Sequence, residues 1–245
     1  MKKIHEEIRL ISDPALRGGF LAYLMTFISE NKQKKFAVNI LNRTRHLTIV
    51  LEDIFQPHNA SAVLRSCDCF GIQDVHIIEN RNRYEVNPDV ALGASKWLTL
   101  HNYDQEEHNT RNCLMQLKQR GYRIVATTPH KMDHTPESLP LDQKTALVFG
   151  TELEGLSEVA KELADDYVKI PMYGFTESLN ISVSAAILLR SLAIRLRTAG
   201  IPWQLDPVER EEVLLGWAMS VVRNPHLVAR AFLNKTSVPP DANAT

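Results

Sequence analysis

Apolar residues come along this chain in two alternating forms: short compact runs rich in β-branched residues, and longer stretches at helical spacing. The runs at 46–52, 75–78, 97–100, 123–127, 145–150 and 167–170 predict buried strands. Residues 60–70, 110–120 and 157–164, and the long apolar stretch after Asn180, predict helices. Asn59 is placed to cap the first of these and Gly71 to end it; Gly121 ends the second, and Asn180 caps the last. Strands separated by helices of this size make crossover units. The expected fold is therefore α/β, with a mainly parallel sheet and helices on both faces.

The two ends break this alternation. Up to residue 45 the apolar positions Ile8, Ile11, Leu16, Phe20, Leu21, Leu24 and Phe27 recur at helical spacing, and predict a helical extension. After Gly200, the run Asp206, Pro207, Val208, Glu209 has a capping Asp, a Pro at the first helical position and a Glu three residues after the cap. It opens a second helical extension. The expected organisation is residues 1–45, a central domain of 46–198, a carboxyl-terminal extension of 199–236 and an unstructured tail of 237–245.

Composition narrows the class. A chain of 245 residues with 44% hydrophobic content can bury one full-sized core. No run approaches the ~18 apolar residues that span a bilayer, so a soluble, cytoplasmic protein without membrane contact is expected. Three cysteines, with Cys67 and Cys69 two apart on a predicted helix, suit neither a disulfide framework nor a zinc site and read as packing residues. The histidines are scattered, so no metal is expected. The net charge of −1 excludes nucleic-acid binding through bulk charge, but Lys32, Lys34, Lys35 and Arg43 form one acid-free basic stretch and Arg223 and Arg230 another. The phosphate-cradling motifs of dinucleotide and NTP sites and the hydrolase nucleophile elbow are absent.

Three polar clusters remain, each at a predicted strand end: Asn59 with Arg65, Glu152 just after Phe149 and Gly150, and Ser178 with Asn180. Singly, each reads as helix caps, a dipole partner or a surface charge. The third falls where a strand, an irregular loop and a helix start meet within residues 170–187. In an open α/β sheet that is where ligands sit.

Taken together, the segments 57–68, 147–156 and 170–183 resemble, in order and spacing, the three motifs of the SpoU family of RNA ribose 2'-O-methyltransferases, within the SPOUT superfamily. The helices around Glu209, Leu214, Leu215 and Trp217 resemble the extension of its TrmH branch, the tRNA guanosine-18 methyltransferases. The resemblance implies a sheet whose carboxyl-terminal part forms a deep trefoil knot. It also implies an S-adenosylmethionine pocket touched by Thr127, Gly150, Ile170, Met172 and Leu179, and a homodimer pairing through the helix at 181–196. Arg65 and Asn59 take the catalytic position in this reading, supported by Glu152, Ser178 and Asn180. The substrate implied is tRNA, not DNA, with the two basic stretches facing it. Ribosomal RNA as substrate, and a non-catalytic RNA-binding member of the fold, are the alternatives.

Overall fold

The computed structural model describes residues 13–83, 93–151 and 154–236. The chain divides into two compact units, Arg43–Gln204 and a second one formed by Met1–Asn42 with Leu205–Thr245.

The larger unit is built on a six-stranded sheet: β1 Leu47–Glu52, β2 Asp74–Ile78, β3 Thr99–Tyr103, β4 Arg123–Thr127, β5 Thr145–Phe149 and β6 Asp166–Val168. Its order is β3-β2-β1-β5-β4-β6 and every neighbouring pair is parallel. The buried runs of the sequence are thus strands covered on both faces. Successive side chains of β1 and β5 point to opposite sides. Ile49, Leu51, Leu147 and Phe149 join one core cluster, and Val50, Ala146 and Val148 join the other.

The first cluster is closed by α3 Pro57–Phe70 and α6 Ile181–Thr198, through Ala60, Val63, Leu64 and Cys67 on the former and Ala185, Leu188, Leu189 and Leu192 on the latter. The second is closed by α4 Asn109–Gln119 and α5 Glu158–Leu163, through Leu114, Leu117 and Ala160. A three-layer α/β/α arrangement results, with a parallel sheet and helices on both faces, as the pattern predicts. The loop between β4 and β5 is tied to α6. Arg195 donates to the carbonyls of Pro136 and Leu139, both at 2.7 Å, and Ser191 Oγ to that of Pro136 at 3.4 Å.

Several details differ from expectation. Asn59 does not cap α3. The helix starts at Pro57 after Gln56, because Pro tolerates the first turn, where its missing N–H is not needed. Asn59 lies inside that first turn and is buried. Gly71 does end the helix, at φ 79°. A short 3-10 turn at Ala94–Trp97 displaces β3 to Thr99–Tyr103, and β6 stops at Val168, so Ile170 lies beyond it. Cys67 is buried and packs as expected, whereas Cys69 is exposed.

The other unit contains α1 Pro14–Met25, α2 Glu30–Ile40, α7 Pro207–Val221 and α8 Pro225–Thr236. Aromatic contacts join its two halves: Phe20 with Phe232 at 5.3 Å between ring centroids, and Phe36 with Trp217 at 5.4 Å. Arg17 pairs with Glu212 at 3.1 Å, and the capping box of Asp206 and Glu209 opens α7. The expected tail at 237–245 lies outside the described residues.

Candidate active site

The first and third polar clusters found in the sequence meet at the starts of α3 and α6. Asn59, 4% exposed in the first turn of α3, accepts a hydrogen bond on Oδ1 from Asn180 Nδ2 at 3.1 Å, although 121 residues separate them. Asn59 Nδ2 in turn donates to Gln56 Oε1 at 3.1 Å. Asn180 caps α6, its Oδ1 accepting from the Ser182 amide at 2.9 Å and the Ser182 hydroxyl at 2.6 Å. The Asn pair therefore locks the start of α3 to the start of α6.

Arg65 lies two turns along α3, exposed, and makes no hydrogen bond or ion pair among the described residues. Its guanidinium is free for an anionic ligand. Ser178 is exposed and also without a partner among the described residues. Glu152 lies outside them.

After β5 the chain turns back sharply. Thr151 and Gly155 exchange amide-to-carbonyl hydrogen bonds, each 3.0 Å. A Cβ on Gly150 would stand 2.1 Å from the Gly155 carbonyl oxygen, so only glycine fits there. Thr127 ends β4, with its hydroxyl donated to the Val148 carbonyl at 2.8 Å and its backbone in register with Val168 of β6. Ile170, Met172 and Leu179 are half-buried, and Tyr173 and Phe175 stand fully exposed on the loop before Asn180. Half-buried apolar side chains beside strand-end backbone groups suit a nucleoside with an aliphatic arm.

A buried carboxylate missed by the sequence reading braces this edge. Glu52, at the end of β1, accepts from Thr110 Oγ1 at 2.6 Å, from the Ser157 amide at 2.9 Å and from Ser157 Oγ at 2.6 Å. It joins β1 to the first turn of α4 and to the cap of α5. An acidic pair, Glu52 and Asp53, directly after the apolar residues Ile49, Val50 and Leu51 was the available signal.

The sequence profile of the SpoU rRNA Methylase family matches residues 46–190, more than half of the chain. The chain belongs to the SpoU methylase family.

Relatives extend the match beyond the sheet. A tRNA (guanosine(18)-2'-O)-methyltransferase of Borreliella burgdorferi is 44% identical over 204 residues, covering 83% of this SpoU methylase and 92% of the relative. An enzyme of the same name from Thermus thermophilus is 32% identical, covering 77% and 96%. The solved structure of the A. aeolicus TrmH/SpoU tRNA modifying enzyme superposes with a TM-score of 0.70 at 29% identity, covering 79% of this chain and 98% of that one.

The basic residues of this SpoU methylase divide on inspection. Lys34, Lys35 and Arg223 are exposed, as is Arg230, while Lys32 is half-buried. Arg43 is withdrawn from the RNA-facing set. It is 5% exposed, donates to the Ile72 carbonyl at 3.2 Å and pairs with Asp68, so its charge is spent inside the sheet unit. No cluster of His, Cys, Asp and Glu able to hold a metal occurs among the described residues, and no helix there is long and apolar enough to cross a membrane.

Proposed function

We propose that this SpoU methylase transfers a methyl group from S-adenosylmethionine to the ribose 2'-hydroxyl of guanosine 18 in the D loop of tRNA, the nucleotide named for its relatives. The observation that carries the reading is the Asn59–Asn180 hydrogen bond, 3.1 Å, which joins the start of α6 to the first turn of the helix that carries Arg65, itself without a partner among the described residues.

The half-buried Ile170, Met172 and Leu179, with backbone groups at Thr127 and Gly150, would hold the cofactor. When bound, it supplies an electrophilic methyl on a sulfonium. The work left to the protein is to aim the hydroxyl and help remove its proton. Arg65 is not a base, since a guanidinium stays protonated in proteins. Its planar fork instead grips the phosphate next to the target ribose, fixes the 2'-oxygen and leaves the proton to a phosphate oxygen or water. Asn59 and Asn180 have their amide groups engaged and act as positioning residues. Ser178, exposed on the loop before α6, closes the site around Arg65.

Three larger features complete the reading. The β4–β5 loop, held to α6 by Arg195, is the loop through which the trefoil knot threads. Val183, Ile187 and Ile194 form an exposed apolar stripe along α6, which with Tyr173 and Phe175 is the homodimer face. Lys34, Lys35, Arg223 and Arg230, with the half-buried Lys32, meet the tRNA backbone, and the setting is the cytoplasm, where tRNA is processed.

Purified protein incubated with labelled S-adenosylmethionine and either total tRNA or rRNA is expected to label tRNA, at one D-loop ribose. Label confined to rRNA would move the substrate, and no transfer to any RNA would overturn the enzyme. Arg65→Ala is expected to lower turnover by at least about 100-fold with the cofactor Kd unchanged. Lost cofactor binding would make its role structural.

A further inference from the structure

Asp53, directly after β1, holds a left-handed backbone at φ 53°, a conformation disfavoured for any residue with a Cβ. Such a conformation persists where its surroundings over-determine it, and it tends to mark function. Here they do. Asp53 Oδ1 accepts from the amides of Asn80 at 2.7 Å, Arg81 at 2.8 Å and Asn82 at 3.3 Å, and its own amide donates to the Ile78 carbonyl at 2.9 Å. Asn82 Nδ2 returns a bond to the Asp53 carbonyl at 2.8 Å. Asn80 Nδ2 reaches Thr110 Oγ1 at 2.9 Å, whose hydroxyl is bonded to the buried Glu52. Residues 80–82, just after β2, are thus fixed to the braced edge of the sheet.

What this segment presents is Arg81. Its side chain is 74% exposed, and Nη1 lies 2.8 Å from Oε2 of Glu154, itself 70% exposed. Glu154 sits in the turn that Gly150 permits, its amide held by Thr151 Oγ1 at 3.0 Å. Arg81 therefore extends from a segment held by hydrogen bonds to the turn after β5, against a solvent-screened carboxylate. Exposed ion pairs of this kind are weak, whereas a guanidinium fork meets phosphate in two parallel hydrogen bonds. Phosphate can take the place of that carboxylate.

We propose that Arg81 is a second phosphate-binding arginine of the methylation site, positioned by Asp53 and occupied by Glu154 until the RNA backbone displaces the carboxylate. The inference rests on the reading of RNA as substrate and adds the site at which its backbone is held. A purely structural latch predicts that the two partners behave alike on substitution. Phosphate exchange predicts that they behave oppositely.

The test measures the KM for tRNA and its salt dependence, with S-adenosylmethionine Kd and thermal stability as controls. Arg81→Ala is expected to raise the KM about five-fold and to flatten log KM against log salt by about one unit, with the cofactor Kd unchanged. Glu154→Gln is expected to lower the KM, and to have no effect once Arg81 is alanine. Asp53→Ala is expected to raise the KM in the wild-type background and to add nothing to Arg81→Ala. Arg81→Ala and Glu154→Gln shifting the KM in the same direction, or neither shifting it, would overturn the inference. Wild-type protein that methylates no RNA would defeat the functional reading instead, a separate and recognisable result.

Discussion

Gly150 is the residue with the least freedom at the site. Its neighbour across the turn, the Gly155 carbonyl, occupies the space a methyl would need, 2.1 Å from an ideal Cβ. Gly150→Ala must push Gly155 and Leu156 away from the end of β5, with a cost of more than about 2 kcal/mol. It is expected to lower the melting temperature and to abolish S-adenosylmethionine binding in calorimetric titration; wild-type affinity would show that the turn can yield. The sequence displayed Gly150, Asn59, Arg65 and Asn180 because their types and spacing form motifs. It hid what depends on distant partners. The charge of Arg43 is legible, but its pairing with Asp68 across α3 is not, and Glu52 looks like any acid at a strand end until Thr110 and Ser157 fold around it. Asn59 read as a cap because caps and first-turn residues share a composition, and Pro57 settled the matter by starting the helix early.

At the scale of elements, β2 and β3 share a stacked histidine pair, the buried His76 and the half-buried His101. His76 stacks on His101 with centroids 4.5 Å apart, and its Nδ1 lies 3.1 Å from the Tyr103 hydroxyl, while Nε2 has no partner among the described residues. Burial, with the neighbouring His101 charge, pushes the His76 pKa down from 6.5 to about 3. The unfolded chain therefore binds a proton that the folded chain refuses, and stability present above about pH 6.5 is lost as the pH falls toward 3. About 2 kcal/mol should disappear between pH 7 and pH 5. Thermal melts across that range are expected to show the decline, and His76→Gln to flatten it; an equal slope in the variant would assign the loss elsewhere. Asp74 lies outside this window. Burial raises its carboxyl pKa, but the His101 hydrogen bond and the Arg45 charge outweigh that and hold it below the ordinary value of 3.8. These strands were readable to within a few residues from their apolar runs. The pairing of β1 with β5, and the placing of β4 beyond it, was not, because strand order is set by crossovers rather than by local pattern.

At the scale of the whole molecule, the α6 stripe of Val183, Ile187 and Ile194 stays exposed in the single chain. Ile187→Glu should leave the subunit folded, since the side chain is not part of its core. It is expected to turn a dimer into a monomer by analytical ultracentrifugation and to lower methyl transfer at least about ten-fold. A monomeric wild type would sink the dimer face.

The helical unit has a further consequence. Read along the chain, residues before 42 and after 205 look like two unrelated extensions, yet Phe20 meets Phe232 and Phe36 meets Trp217. During synthesis α1 and α2 leave the ribosome before the sheet unit and wait for partners that are made more than 160 residues later. The sheet unit between them can mature on the ribosome, while the helical unit can close only after α7 and α8 emerge. A chain that stops before α7 and α8 would thus carry the sheet unit without a closed helical unit.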